Sequence, residues 1–231
     1  MSIQPTGPCP ARIMIVGEAP GEQEVAQGQP FVGMGGQELS RMLQEAGIMR
    51  SACFITNVVR IRPPGNDINS FIAQRKSDIS VQHIMMRDKF VLPVVRDGFE
   101  LLKREIEMCQ PNVIIAFGNV ALWALTGQWG ITSWRGSVME CDLELALDYK
   151  PKVVPAYHPA SILRQWSWRQ IAIHDLRRAA SQSKFREVIR PQYNFFVRPS
   201  FDQVMGVLHE IYKTLETERT GESKHPGVTQ P

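Results

Sequence analysis

Ile13-Met14-Ile15-Val16-Gly17-Glu18-Ala19-Pro20-Gly21 is the stretch that decides the fold. A short apolar run breaks off at Gly-Glu-Ala-Pro-Gly, which reads as a buried strand ending in a tight loop. The pattern recurs three times. Cys53–Val59 ends in the stiff, basic Arg60-Ile61-Arg62-Pro63-Pro64-Gly65-Asn66, Val113–Phe117 ends at Gly118, and Lys152–Tyr157 ends in His158-Pro159-Ala160-Ser161. Helical spacing fills the gaps. Leu39, Met42, Leu43 and Ala46 form one face closed by Gly47, and Val95, Phe99, Leu102 and Ile106 another between Pro93 and Pro111. A short helix closes at Gly127, and a Ser167–Gln170 capping box opens a helix with Trp168, Ile171, Ala172, Leu176 and Ala179 inward. Strands separated by helices imply βαβ units and a parallel sheet, an α/β fold.

The remaining segments are less regular. Residues 66–92 read as a long functional loop with some helix, and Ile131–Tyr149 as an excursion containing an edge hairpin. After Lys184, Val188–Val197 looks extended, and Ser200 with Gln203 caps a helix bearing Phe201, Val204, Leu208, Ile211 and Leu215. The polar stretch from Thr217 to Pro231 reads as a disordered tail. The expected division is therefore a main domain over 1–186, an extension over 187–216 and a tail over 217–231.

Net charge is +3, from 26 basic and 23 acidic residues among 231, which permits a polyanionic partner without demanding one. The longest apolar runs are far too short to span a bilayer, and Met1-Ser2-Ile3-Gln4-Pro5 lacks the pattern of a secretory signal, so a cytoplasmic location is expected. Cys9, Cys53, Cys109 and Cys141 are widely spaced singles. They read as small buried hydrophobes rather than a zinc set or disulfides.

Ligands of open α/β sheets bind outside the carboxyl ends of the strands, so the loops there carry the chemistry. The first has Glu18 and Phe31, the second Asn57, Arg60 and Arg62, the third His158, Ser161 and Arg164. The first loop is neither a dinucleotide nor a P-loop fingerprint, and Glu18, Glu22 and Glu24 would repel phosphates. A carboxylate there suits holding a water or stabilising a developing cation. An amide can read a base edge, an aromatic can stack on its face, and arginines at the rim suit phosphates.

Gly17-Glu18-Ala19-Pro20-Gly21, Gly28-Gln29-Pro30-Phe31-Val32-Gly33, Thr56-Asn57-Val58-Val59, Arg62-Pro63-Pro64-Gly65-Asn66 and His158-Pro159-Ala160-Ser161-Ile162-Leu163-Arg164 resemble the motifs of the uracil-DNA glycosylase superfamily, closest to its family 4, iron–sulphur type. The resemblance runs in order from about Arg12 to Ala180, with a longer segment after Asn66. It implies a three-layer α/β/α sandwich around a four-stranded parallel sheet, and an enzyme that flips uracil from DNA and hydrolyses its N-glycosidic bond. Carried over, Glu18 would hold or activate water and His158 would stabilise charge on the uracil oxygen. Phe31 would stack on the base and Asn57 would bond its edge, with Gly17 and Ala19 completing the pocket. Arg60, Arg62, Pro63, Ser161 and Arg164 would face the DNA.

The resemblance also implies a four-cysteine iron–sulphur cluster, but Ile61 stands where a ligand cysteine precedes Arg-Pro-Pro, and only Cys9 lies upstream of the first strand. No 4Fe–4S cluster or other metal is therefore expected. Asn194-Phe195-Phe196-Val197-Arg198-Pro199-Ser200-Phe201 resembles the linker after the glycosylase-like domain in some phage DNA polymerases, which makes a replication polymerase a candidate partner besides uracil-containing DNA. The competing reading is a non-catalytic, glycosylase-like DNA-binding module accessory to such a polymerase.

Overall fold

A computed structural model of the chain describes residues 2–189 and 197–220. They fall into two units, Met1–Val188 and Ile189–Pro231. In the first, β1 (Ile13–Gly17) leads through α1 (Glu22–Gln27) and α2 (Met34–Glu45) to β2 (Cys53–Asn57). A hairpin of β3 (Ile84–Met86) and β4 (Lys89–Val91) precedes α3 (Pro93–Cys109) and β5 (Val113–Phe117). Next come α4 (Asn119–Thr126), α5 (Ile131–Trp134), β6 (Met139–Glu140) and β7 (Lys152–Ala156). Helices α6 (Pro159–Arg164) and α7 (Arg169–Gln182) complete the unit.

The main sheet has the order β2-β1-β5-β7-β6. Its first four strands are parallel, as the alternation of strands and helices requires, but the sheet has five strands rather than the expected four. The fifth, β6, pairs antiparallel with β7 through Met139↔Val153 and Glu140↔Lys152 and covers that edge. Two residues carry no readable periodicity, so the expected hairpin in 131–149 reduces to this single short strand. The 66–92 loop likewise contains the β3–β4 hairpin, whose strands of three residues each left no clear signal.

Side chains of successive strand residues point to opposite faces, and both faces are covered. Met14, Val16, Ile114 and Ala116 pack with Val95, Phe99, Leu102, Ile106 and Trp123 of α3 and α4. Ile15, Ile115, Phe117 and Val154 pack with Leu39, Leu43, Ala172 and Leu176 of α2 and α7. The α/β/α sandwich follows. Gly98 in α3 is required by close approach, because a Cβ there would lie 2.2 Å from the Val58 carbonyl oxygen.

Several local expectations need correction. Helix α7 buries Ala172, Ile173, Leu176 and Ala179, while Ile171 is exposed. Ser167 makes no capping box: its hydroxyl accepts from Gln165 Nε2 at 2.7 Å within a 3-10 turn over Trp166–Trp168. Cys53, Cys109 and Cys141 are buried, but Cys9 is exposed.

In the second unit, α8 runs over Phe201–Thr220. Its reciprocal cap is formed as expected, with Ser200 N–H donating to Gln203 Oε1 at 2.9 Å and Gln203 N–H to Ser200 Oγ at 3.3 Å. The helix takes in residues 217–220, which were expected to open the disordered tail. The rest of that tail, and most of the extended 188–197 segment with the Asn194-Phe195-Phe196 motif, lie outside the described residues. Among the described residues no helix is long and apolar enough to cross a membrane.

Arg60, expected at the DNA-facing rim, is 6% exposed and points inward. Its Nη2 is ion-paired with Glu105 of α3, whose other oxygen accepts from Thr56 Oγ1 at 3.0 Å. Backbone direction at the end of β2 decides this, since Val58, Val59 and Arg60 all remain under α3. Among the described residues Arg60 Nε has no hydrogen-bond partner, and the guanidinium takes its charge compensation from Glu105. Glu105→Ala should therefore cost about 3–5 kcal/mol, as expected for stranding a buried charge. Denaturant unfolding at neutral pH measures it, and a loss below about 1 kcal/mol would mean that water reaches Arg60.

Candidate active site

The carboxyl ends of β1, β2, β5 and β7 open into one cleft of about 630 Å³. Gly17 and Asn57 close β1 and β2 as register partners. Asn57 is buried and lines the cleft, and among the described residues its side-chain amide makes no hydrogen bond. A Cβ on Gly17 would stand 2.3 Å from Asn57 Oδ1 and 2.6 Å from Phe31 Cζ. Only glycine leaves that space, so the amide and the ring converge on a gap of the sequence's own making.

Glu18 follows at the mouth of β1. Its Oε1 accepts from the Val120 N–H at 3.0 Å, at the start of α4, while Oε2 accepts nothing among the described residues. Gly118, at φ +87°, makes room: a Cβ there would fall 2.5 Å from Glu18 Oε1. Ala19 lines the same wall.

Phe31 sits in an irregular turn at φ +55°, a region that non-glycine residues seldom occupy outside functional sites. Two side chains that sequence reasoning missed hold it there. Glu24 accepts from the N–H groups of Val32 at 3.1 Å and Gly33 at 2.8 Å through Oε1, and from Gly21 N–H at 3.1 Å through Oε2. Arg50 donates to the Phe31 carbonyl at 2.8 Å and the Gly36 carbonyl at 3.2 Å, and to Ser40 Oγ at 3.1 Å. In the sequence Glu24 stands out only as a charge that would repel phosphates, and Arg50 lies outside every motif. Its one sequence signal is a cation just before β2.

His158 follows β7 at the head of α6. Its Nδ1 accepts the Ala160 N–H at 3.2 Å, which assigns the proton of the neutral ring to Nε2. Desolvation on the cleft wall pushes its pKa below the ordinary imidazole value; Glu18 raises it, Arg164 lowers it and Glu24 raises it by smaller amounts. The ring stacks near Phe31, with centroids 5.8 Å apart and planes at 26°. Tyr157, one residue earlier, stacks on Trp168 at 4.4 Å, and the Arg135 guanidinium lies over it at 5.9 Å. Arg135 in turn donates from Nε to buried Asp175 at 2.7 Å. The loop carrying His158 is thus braced from behind.

The rim is less uniformly basic than the sequence suggested. Arg62 is exposed and donates to Glu22 at 3.2 Å, and Arg164 is exposed and donates to Ser161 Oγ at 3.2 Å. Pro63, Ser161 and Arg164 line the cleft, whereas Arg60 does not reach it.

A four-thiolate cluster does not fit these residues. Ile61 packs its side chain against the core. Burial pushes the Cys53 and Cys141 thiols up to about 11, and raises Cys109, which shares a hydrogen bond with Cys9. Among the described residues no group of three or more Cys, His, Asp or Glu is arranged to hold a metal ion.

The carboxylate of Glu18, the ring of Phe31, the amide of Asn57 and the imidazole of His158 thus come into one cleft from separate sequence motifs. Residues 4–186 match the sequence model of the Uracil DNA glycosylase superfamily. The chain is 34% identical over 174 residues to a type-4 uracil-DNA glycosylase of Thermotoga maritima, covering 74% of this chain and 77% of that one. It is 34% identical over 158 residues to a type-4 uracil-DNA glycosylase of Archaeoglobus fulgidus, covering 66% and 67%. A DNA polymerase of Bacillus phage SP01 is 27% identical over 172 residues, 74% of this chain but 16% of the polymerase. With the motifs gathered in one cleft and the match spanning most of the chain, this protein belongs to the uracil-DNA glycosylase superfamily.

Proposed function

We propose that the protein is a monofunctional uracil-DNA glycosylase, which hydrolyses the bond between uracil N1 and the deoxyribose C1′ of a nucleotide flipped into the cleft. The observation that carries this is that Glu18, Phe31, Asn57 and His158 line one cleft, with the Phe31 ring stacked near His158 and converging with the Asn57 amide over Gly17. As the bond breaks, the electron pair leaves with the base and the sugar becomes cationic. A donor is needed at the base and a carboxylate at the sugar, and interactions that strengthen only then accelerate the reaction. His158 Nε2–H supplies the donor, since Nδ1 is occupied by the Ala160 N–H. Glu18 Oε2 is the oxygen left to orient a water for attack at C1′ and take its proton, Oε1 being held by Val120. Phe31 stacks on the base, and the Asn57 amide matches its carbonyl–imide edge with one donor and one acceptor. No lysine is among the described residues lining the cleft, which supports attack by water over an imine route.

Arg62, Pro63, Ser161 and Arg164 are the proposed DNA contacts, and Arg60 is withdrawn from that set. The similarity to a phage DNA polymerase supports a replication polymerase as partner.

An oligonucleotide carrying one uracil, incubated with the protein and then with hot alkali, should break at that site. Glu18→Gln should slow excision by about 10²–10⁴-fold and His158→Ala by about 10²–10³-fold. Asn57→Asp, which repels the forming uracil anion, should lose about ten- to a hundredfold, while affinity for undamaged DNA stays within twofold. Uracil-independent binding with no base release at enzyme excess would overturn the reading in favour of a non-catalytic module.

The pH profile tests His158 separately. Its depressed pKa keeps the ring neutral at and above the ordinary value of about 6.5. The unfolded chain binds that proton first, so this residue withdraws stability as pH falls below about 6.5. Single-turnover excision should stay level from pH 8 down through that value and decline only below it. A rate that climbs steadily as pH falls would make imidazolium the working form and refute the neutral donor.

We further propose that this chain works without an iron–sulphur cluster. Protein purified from iron-replete cells should be colourless, with no visible thiolate-to-iron absorption and less than about 0.1 iron per chain by elemental analysis. Stoichiometric iron would overturn this.

A further inference from the structure

Beyond Arg164 the chain carries a side chain that base excision does not use. Trp166 is 59% exposed, more than any other aromatic residue described in the first unit. Exposure of one apolar residue says little by itself. Its setting says more. The Arg169 guanidinium lies over the indole, 5.1 Å from the ring centroid. That guanidinium is clamped, with Nε donating to Glu38 Oε1 at 2.6 Å and Nη1 to Glu45 Oε2 at 3.1 Å, and Glu38 is wholly buried. One face of the indole is therefore backed by a fixed cation and the rest is open.

Trp166 also sits beside the cleft. Leu163 and Arg164, at the end of α6, line the cleft, as does Trp168 two residues after Trp166. Gln165, Ser167 and Gln170 around it are polar and exposed, and the exposed apolar residues of this stretch besides Trp166 are Leu163 and Ile171, a small apolar area for a protein partner. A nucleobase fits this setting: a π face for the ring and a neighbouring arginine for its phosphate.

We propose that the open face of Trp166 is a stacking subsite for an unpaired base flanking the excised nucleotide, giving the protein a preference for single-stranded DNA. The proposal rests on the glycosylase reading only for what occupies the cleft beside it. In a duplex the flanking base is already stacked on its neighbours and cannot reach the indole without leaving them. In a single strand it can.

The test uses uracil-free DNA, so it does not depend on excision. A fluorescein-labelled oligo-dT of about 12 nucleotides and a duplex of equal length are titrated with the full chain, Trp166→Ala and Trp166→Phe. Trp166→Ala should weaken oligo-dT binding about 5- to 150-fold, the range measured for one base–aromatic stack. Trp166→Phe should restore it to within a few-fold, with duplex affinity and the salt slope unchanged throughout. Indole emission of the parent should be quenched by oligo-dT, and the quenching should shrink in Trp166→Phe. Equal losses on both DNA forms, or undiminished oligo-dT binding in Trp166→Ala, would overturn the subsite. Loss of oligo-dT quenching only on unfolding, with both variants folded and binding as the parent, would overturn it as well. A parent that binds oligo-dT through Trp166 but releases no uracil would sink the enzyme reading and leave this one standing.

Discussion

The hydrogen bond from Val120 N–H to Glu18 Oε1 joins the loop after β1 to the helix after β5, and the site depends on the crevice that it spans. From β1 the chain moves to β2 on one side and later returns to β5 on the other. Successive connections therefore leave the β1–β5 junction in opposite directions, and no crossover covers its carboxyl end. Into that gap project Glu18 from one side and Gly118 from the other. Parallel pairing with continuous register then places Asn57 opposite Gly17, and β7 delivers His158 next to β5. Glu18, Asn57, Gly118 and His158 lie about 40 residues or more apart in sequence, yet the sheet leaves them little freedom to be elsewhere.

What the sheet does not fix, charged side chains do. Phe31 lies outside any regular element, and its left-handed backbone costs of order 1–3 kcal/mol unless surrounding groups hold it. Glu24 takes the N–H groups on the far side of the turn and Arg50 the carbonyl of Phe31 itself, so each charge is used on backbone dipoles. Desolvation lowers the pKa of Arg50, yet a guanidinium remains charged and keeps all its donors. Gly36 completes the turn, for a Cβ there would collide with the Phe31 carbonyl at 1.8 Å. The ring that is to meet the base is thereby set before any base arrives, which removes its ordering cost from binding.

The four parallel strands, the helices that separate them and the gathering of Glu18, Phe31, Asn57 and His158 were legible because each rests on a local signal. Apolar runs ended by glycine or proline mark the strands, and parallel topology gathers their ends. Arg60 was misplaced because a basic residue in a turn-rich loop looks solvent-facing, while its partner Glu105 lies 45 residues away on the polar-looking side of α3. Arg50 and Asp175 were invisible for the same reason: their value lies in long-range partners that no spacing rule encodes. The strands β3, β4 and β6, of two or three residues each, are too short for a period of two to register.

The 66–92 segment raises the question of what stiffens a long loop beside the cleft if thiolates and iron do not. Phe71, Ile72 and Val91 are buried in the same core as Phe99 and Trp123, so the segment is anchored at both ends by apolar packing. Backbone bonds from Leu92 to Phe71 and from Ala73 to Phe90 close it as a pinched loop. The hairpin tip is tied down by polar contacts: Trp123 Nε1 donates to Asp88 at 2.8 Å, Arg87 to Asp142 at 3.1 Å, and Lys89 lies over Trp129 at 4.1 Å. Burying three such side chains contributes several kcal/mol at about 1.5–3 kcal/mol each. That is enough to hold the loop only if its packing is intact, whereas a metal cluster would hold it through a few ligands. Ile61 packs on the same core and adds to that apolar support. On the proposal that no cluster is bound, isoleucine at 61 supplies apolar contact at the place where the resemblance implies a ligand cysteine.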